Sequence, residues 1–108
     1  MSVVWEKVAY DRRRIRLTEA QKRHISFFHP EALANEDMLM ETLAMPDCVA
    51  AGAQPMIHVL YRHYDITPVT SKHLAVVVRV LNGEGFIVTS YFTDRIGRTR
   101  VIWRRTDS

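Results

Sequence analysis

Five histidines, twelve arginines and a row of strand hydroxyls are the chemistry-bearing residues of this 108-residue chain. Imidazole titrates near neutrality and can take or give a proton. Guanidinium grips phosphate with a planar fork. Together these groups suit cleavage of a phosphodiester by a neighbouring hydroxyl. One group removes the hydroxyl proton, cations offset the added charge of the transition state, and another group protonates the leaving oxygen. His24 is the candidate acid or base, and Arg62, sharing a strand face with His58 and Tyr64, is the candidate phosphate ligand. Lys72 adds a cation at the mouth of the next strand. Thr89, Tyr91 and Thr93 fall on one strand face with Ser90 opposite, placed to orient a phosphate or a 2′-hydroxyl. Arg95, Arg98, Arg100 and Trp103 follow, with Arg104 and Arg105, as candidates to hold single-stranded RNA by charge and stacking. His58 and His63, five apart on a strand, face opposite ways and cannot share a metal. With one cysteine, Cys48, no metal site, disulfide or cofactor is expected.

These residues need elements to position them. Thr18-Glu19-Ala20-Gln21 reads as a capping box opening a helix that runs to about Phe28, because His29 precedes Pro30. Its inner stripe is predicted to be Gln21, His24, Ile25 and Phe28. Pro30 can open another helical turn, and Asn35 caps a second helix over residues 35–45 that Pro46 ends. Residues 46–52 read as a turn or short connector. Beyond Pro55 the apolar period becomes two: strands are predicted over residues 56–64, 73–81, 86–93 and 100–104. Asn82-Gly83-Glu84-Gly85 is the hairpin connection, with Leu81 expected opposite Phe86, Val78 opposite Thr89 and Val76 opposite Tyr91. The first residues give only weak extended signals at 2–11 and a strand or lead-in around Ile15 and Leu17. The expectation is α+β, with N-terminal helices packed on a three- to four-stranded antiparallel sheet.

Composition bounds the rest. The chain is 47% hydrophobic and 25% charged, within the globular range, and long enough for one domain. Residues 1–14 read as an extension or short strand, 15–105 as the domain and 106–108 as a tail. No apolar run reaches the roughly 18 residues of a membrane span, and the opening residues lack a signal-peptide pattern, so a cytoplasmic protein away from membranes is expected. The net charge of +3 hides a basic–acidic–basic division. Residues 1–30 carry +4, residues 31–55 carry −5 and residues 56–108 carry +4. Basic surfaces point to RNA or another polyanion, or to the acidic face of an inhibitor protein.

The run Leu17-Thr18-Glu19-Ala20-Gln21-Lys22-Arg23-His24-Ile25 through His29-Pro30-Glu31 resembles the opening helix of the phage-associated Barnase–EndoU–colicin–RelE (BECR) nuclease-like domains. Similar pieces follow in order: Leu43, Pro46-Asp47 and Val49, then Tyr61-Arg62, then Lys72-His73-Leu74-Ala75-Val76-Val77-Val78. Phe86-Ile87-Val88-Thr89-Ser90-Tyr91-Phe92-Thr93 and Ile102-Trp103 complete the set, which spans roughly residues 15–104. The resemblance implies helices on a four-stranded antiparallel sheet and a metal-independent endoribonuclease or RNA-directed toxin. It carries a helical functional histidine onto His24, a basic position onto Lys72, and a hydroxyl and an aromatic onto the 86–93 strand. Ser90 departs from the alanine expected before Tyr91. The alternative on the same fold is a non-catalytic phage or mobile-element accessory protein that binds a protein or RNA partner. Geometry separates the two, because catalysis requires His24, Arg62 and Thr89 or Thr93 to meet at one concave site.

Overall fold

The computed structural model describes residues 2–97 and 100–106. In chain order it contains β1 (Val3–Val8), β2 (Arg14–Thr18), α1 (Glu19–Phe28), a 3-10 turn (Pro30–Leu33) and α2 (Glu36–Ala44). Then come β3 (Cys48–Ala51), β4 (Ile57–His63), β5 (His73–Val80), β6 (Glu84–Thr93) and β7 (Val101–Arg104). All the strands belong to one seven-stranded sheet of order β1-β2-β6-β5-β4-β3-β7. Every pairing is antiparallel except β2 with β6, which is parallel.

This corrects the expected three- to four-stranded antiparallel sheet under N-terminal helices. The chain is mostly a mixed sheet, and its helices are two short ones within a single connection. Three strands lie outside the predicted four. β1 and β2 form a hairpin over residues that gave only weak extended signals, where Ile15 and Leu17 alternate with arginines. β3 is the supposed connector: Cys48-Val49-Ala50-Ala51 is short and low in β-propensity, and becomes a strand because β4 and β7 pair with it on both sides.

The connections decide which face of the sheet is covered. β3, β4, β5 and β6 follow one another as an antiparallel meander. The connection from β2 to β3 must instead travel across the sheet, and it carries α1, the 3-10 turn and α2 together over one face. The main core lies beneath them: Ile15, Leu17, Ile25, Leu39, Leu43, Val49, Leu60, Leu74, Val76, Val78 and Ile87 are fully buried there. The connection from β6 to β7 also has to cross, over four strand spacings or about 19 Å. It does so on the other face, where Ile96 packs against the small buried residues Cys48, Ala50 and Ala75 and the ring of Tyr61. Small side chains leave room for that crossing.

Local chemistry agrees with the predicted helix ends. The Thr18 hydroxyl accepts from the Gln21 amide at 3.3 Å, and Asn35 Oδ1 accepts from the Asp37 amide at 3.0 Å. The inner stripe of α1 is narrower than predicted, because α1 buries only Ile25, leaving His24 and Phe28 exposed. The β5–β6 register also differs. Leu81 donates to the Glu84 carbonyl, so Arg79 faces Phe86, and a bulge at Val88 sets Val77 opposite Thr89, Val76 opposite Ser90 and Ala75 opposite Tyr91. A tighter turn moves each partner by one or two positions. Gly85 is required here, since a Cβ would lie 2.4 Å from the Arg79 carbonyl oxygen. Most of the acidic stretch is engaged internally. Glu36 accepts from the Trp5 indole at 2.9 Å and pairs with Lys22, Glu41 accepts from the Tyr64 hydroxyl at 2.7 Å, and Asp47 pairs with Arg105 at 2.8 Å.

Candidate nucleic-acid interface

The helix-free face holds an open depression of about 1180 Å³ where the β6–β7 connection meets β4, β5 and β6. Alternation along each strand selects its lining. Tyr61 comes from β4, His73 from β5, Tyr91 from β6, and Val101 and Arg104 from β7, while Asp94, Arg95, Ile96 and Gly97 come from the crossing segment. The Gly97 amide donates to the Tyr61 hydroxyl at 3.0 Å, tying that segment to the sheet. Tyr61 is 5% exposed, so its ring is a fixed part of the floor. Burial pushes the Tyr91 hydroxyl above its usual range, with Tyr61 adding to the shift, so that hydroxyl stays protonated.

The rim carries the charge. Arg95 and Arg104 are exposed, and neither has an ion-pair partner among the described residues, whereas Asp94 is the carboxylate on the same rim. Cys48 is buried beneath Arg104. Burial raises its thiol, the guanidinium opposes the shift and Asp47 adds to it, which leaves a thiol rather than a nucleophilic thiolate. The His63 and His73 rings stand edge to face at 5.2 Å. His63 Nε2 lies 3.0 Å from Asp65 Oδ1, and its amide donates to Asp47 Oδ2 at 2.7 Å. Two polar atoms on this face, His73 Nδ1 and Thr89 Oγ1, are buried without a hydrogen-bond partner among the described residues.

The predicted site residues divide between the two faces. Tyr91, Thr93 and Thr89 lie on the helix-free face and Arg95 on its rim. The Thr93 hydroxyl is engaged in a local turn, accepting from the Arg95 amide at 3.1 Å and donating to the Arg95 carbonyl at 3.2 Å. Arg62 is on the opposite face with Tyr64, donating to the Met45 carbonyl at 2.6 Å and standing 3.3 Å from Glu41, where it holds the end of α2 to the sheet. Trp103 also faces the helices, its ring 4.7 Å from Tyr10. Arg100 lines a separate depression with Ala51, Gly52 and Ala53. Lys72 donates to the Asp65 carbonyl at 2.5 Å. His24 sits on the solvent side of α1, its ring 4.8 Å from Phe28. Arg98 lies outside the described residues. The fold therefore does not bring His24, Arg62 and the strand hydroxyls to one point.

Sequence reasoning named Arg104 among the RNA-holding arginines but missed His63, His73 and Tyr61 as its neighbours on this face. The signal was present in the alternation: Tyr61 and His63 share a strand face, and the antiparallel partner of His63 is His73. Among the described residues no three His, Cys, Asp or Glu side chains gather as metal ligands would. Nor is any described helix long and apolar enough to cross a membrane. Comparison of the chain with models of protein families, with curated proteins and with solved structures returns no match.

Proposed function

We propose that the chain binds single-stranded RNA across the helix-free face of its sheet. One observation carries this reading: two tyrosines, an imidazole and two arginines that have no ion-pair partner among the described residues meet at one open depression on the face opposite the helices. Exposed sheet faces with aromatic side chains stack unpaired bases, and arginine serves the phosphates between them. Tyr91 and His73 supply flat surfaces, while Arg95 and Arg104 supply charge. Asp94 on the rim disfavours an indiscriminate polyanion and favours a strand whose phosphates keep to the arginine side.

Anisotropy of a labelled single-stranded RNA at two salt concentrations tests this. Binding that weakens with salt, and weakens further in Tyr91→Ala and Arg104→Ala, is the expected result. No binding at low salt, or binding unaffected by both changes, overturns it.

A second reading, cleavage of the bound strand by its own 2′-hydroxyl, is favoured by the adjacent His63 and His73 rings with Asp65 behind the first. One imidazole takes the 2′-hydroxyl proton as that oxygen attacks phosphorus. The other delivers a proton to the departing 5′-oxygen, giving a 2′,3′-cyclic phosphate and a 5′-hydroxyl. Arg95 and Arg104 offset the charge on the phosphorane. Incubation of RNA with the protein in EDTA should release cyclic-phosphate ends. His73→Ala should stop the release and His24→Ala should not. Loss with His24→Ala alone moves the chemistry to α1, and no release by the wild type removes the second reading while leaving the first.

A further inference from the structure

The C-terminal half of α1 is aromatic and exposed where a soluble helix is ordinarily polar. Phe27 is 79% exposed and Phe28 59%, although neither is needed by the core. Their rings meet edge to face at 4.9 Å, and the His24 ring lies 4.8 Å from Phe28, so three flat side chains form one patch. Helical geometry places Arg23 one turn before Phe27, as His24 stands one turn before Phe28. Lys22 is engaged by Glu36, whereas Arg23 is exposed with no ion-pair partner among the described residues. Each phenyl ring is thus accompanied by a cationic or titratable group.

The end of α1 also lies beside the strand that lines the depression. β2 pairs with β6 only at residues 84–86, so the later half of β6 has no strand on that side. The end of α1 occupies the space, and the His29 ring there lies 5.6 Å from that of Tyr91. His29, which directly follows Phe28 in the chain, thus brings the helix end to Tyr91, with Glu31 Oε1 3.8 Å from its Nδ1.

We infer that this helix end is a second stacking platform for the same RNA strand, taking unpaired bases that extend beyond the depression, with Arg23 against the intervening phosphate. The inference rests on the RNA-binding reading and adds to it a length requirement: the strand must pass the edge of the sheet to reach both platforms. Arg23 sets a cation beside the exposed rings, which suits a nucleotide strand better than the apolar surface of a partner protein.

The experiment compares single-stranded RNAs of about four and about ten nucleotides, lengths within the range a single small domain covers. The wild type should bind the longer RNA more tightly. Phe27→Ala and Phe28→Ala should each weaken binding of the longer RNA by about fivefold to tenfold and leave the shorter RNA unchanged. Both side chains are exposed, and circular dichroism of each variant should match the wild type. Binding of both RNAs with no effect of either phenylalanine overturns the second platform while sparing the first. Failure of both RNAs to bind overturns the underlying reading. Concentration-dependent sedimentation of the RNA-free protein that Phe27→Ala abolishes also overturns the inference, assigning the patch to a second copy of the chain.

Discussion

Replacing Tyr61 by phenylalanine isolates one hydroxyl in the floor of the depression. The ring is packed among Cys48, Ala50 and Ala75 and should stay in place, so the change removes only the acceptor for the Gly97 amide. A typical intramolecular hydrogen bond contributes about 0.5–1.5 kcal/mol net. Gly97 is exposed and its freed amide can turn to water, which favours the lower half of that range. For a chain of this size, about 0.5–1 kcal/mol corresponds to a Tm lower by roughly 2–8 °C. The functional effect should exceed the thermal one, because the same tether holds the segment bearing Arg95. Hydrogen exchange at the Gly97 amide should accelerate, and RNA affinity should fall while the exchange of β5 amides stays as in the wild type. Unchanged Gly97 exchange together with unchanged RNA affinity would refute the reasoning that this bond positions the rim. Tyr61→Ala is the contrasting variant: truncating a buried ring costs about 3–5 kcal/mol and should loosen the floor itself.

Gly85→Ala should destabilise the protein by about 1–3 kcal/mol, since the new methyl would press on the Arg79 carbonyl and on Ile15; an unchanged denaturant midpoint would contradict the close packing of β2, β6 and β5. Arg62→Ala should lower stability, read by chemical denaturation, through loss of its bond to Met45 and its contact with Glu41, yet leave RNA affinity unaltered because the residue faces α2. Tyr64 has its hydroxyl pushed up to about 12, chiefly by burial. The unfolded chain therefore loses that proton first, and stability should decline as pH rises from about 10 towards 12; Tyr64→Phe should flatten the decline in alkaline denaturation curves.

Much of the fold was legible wherever a residue pattern maps onto one element. Thr18 and Asn35 mark helix starts, Pro30 and Pro46 mark ends, and the β-branched run from Leu74 to Val80 reads as a strand whatever surrounds it. The rest depended on partners distant in the chain. Cys48-Val49-Ala50-Ala51 becomes a strand only between β4 and β7, and Arg14–Thr18 only by lying beside β1 and β6. Legibility of the site divided in the same way. Tyr91, Thr93 and Arg95 follow from alternation within one strand and its turn. Assigning Arg62 to the opposite face requires knowing which face the helices cover, and bringing His63 beside His73 requires the β4–β5 register. The exposure of His24 had no local signature, because its spacing from Ile25 and Phe28 matches that of a buried stripe.

The two crossings of the sheet also bear on how the chain reaches this structure. β2 meets β6 through residues seventy positions apart, and β3 meets β7 through residues fifty-one to fifty-six apart. Each closure loses loop entropy before its contacts can compensate. The β3–β6 meander needs only neighbouring strands and can assemble before either flank. The hairpin at one edge and the last strand at the other must then join a sheet already present. Such long-range pairing places folding on the millisecond-to-second scale of strand-rich domains, which stopped-flow refolding would read directly.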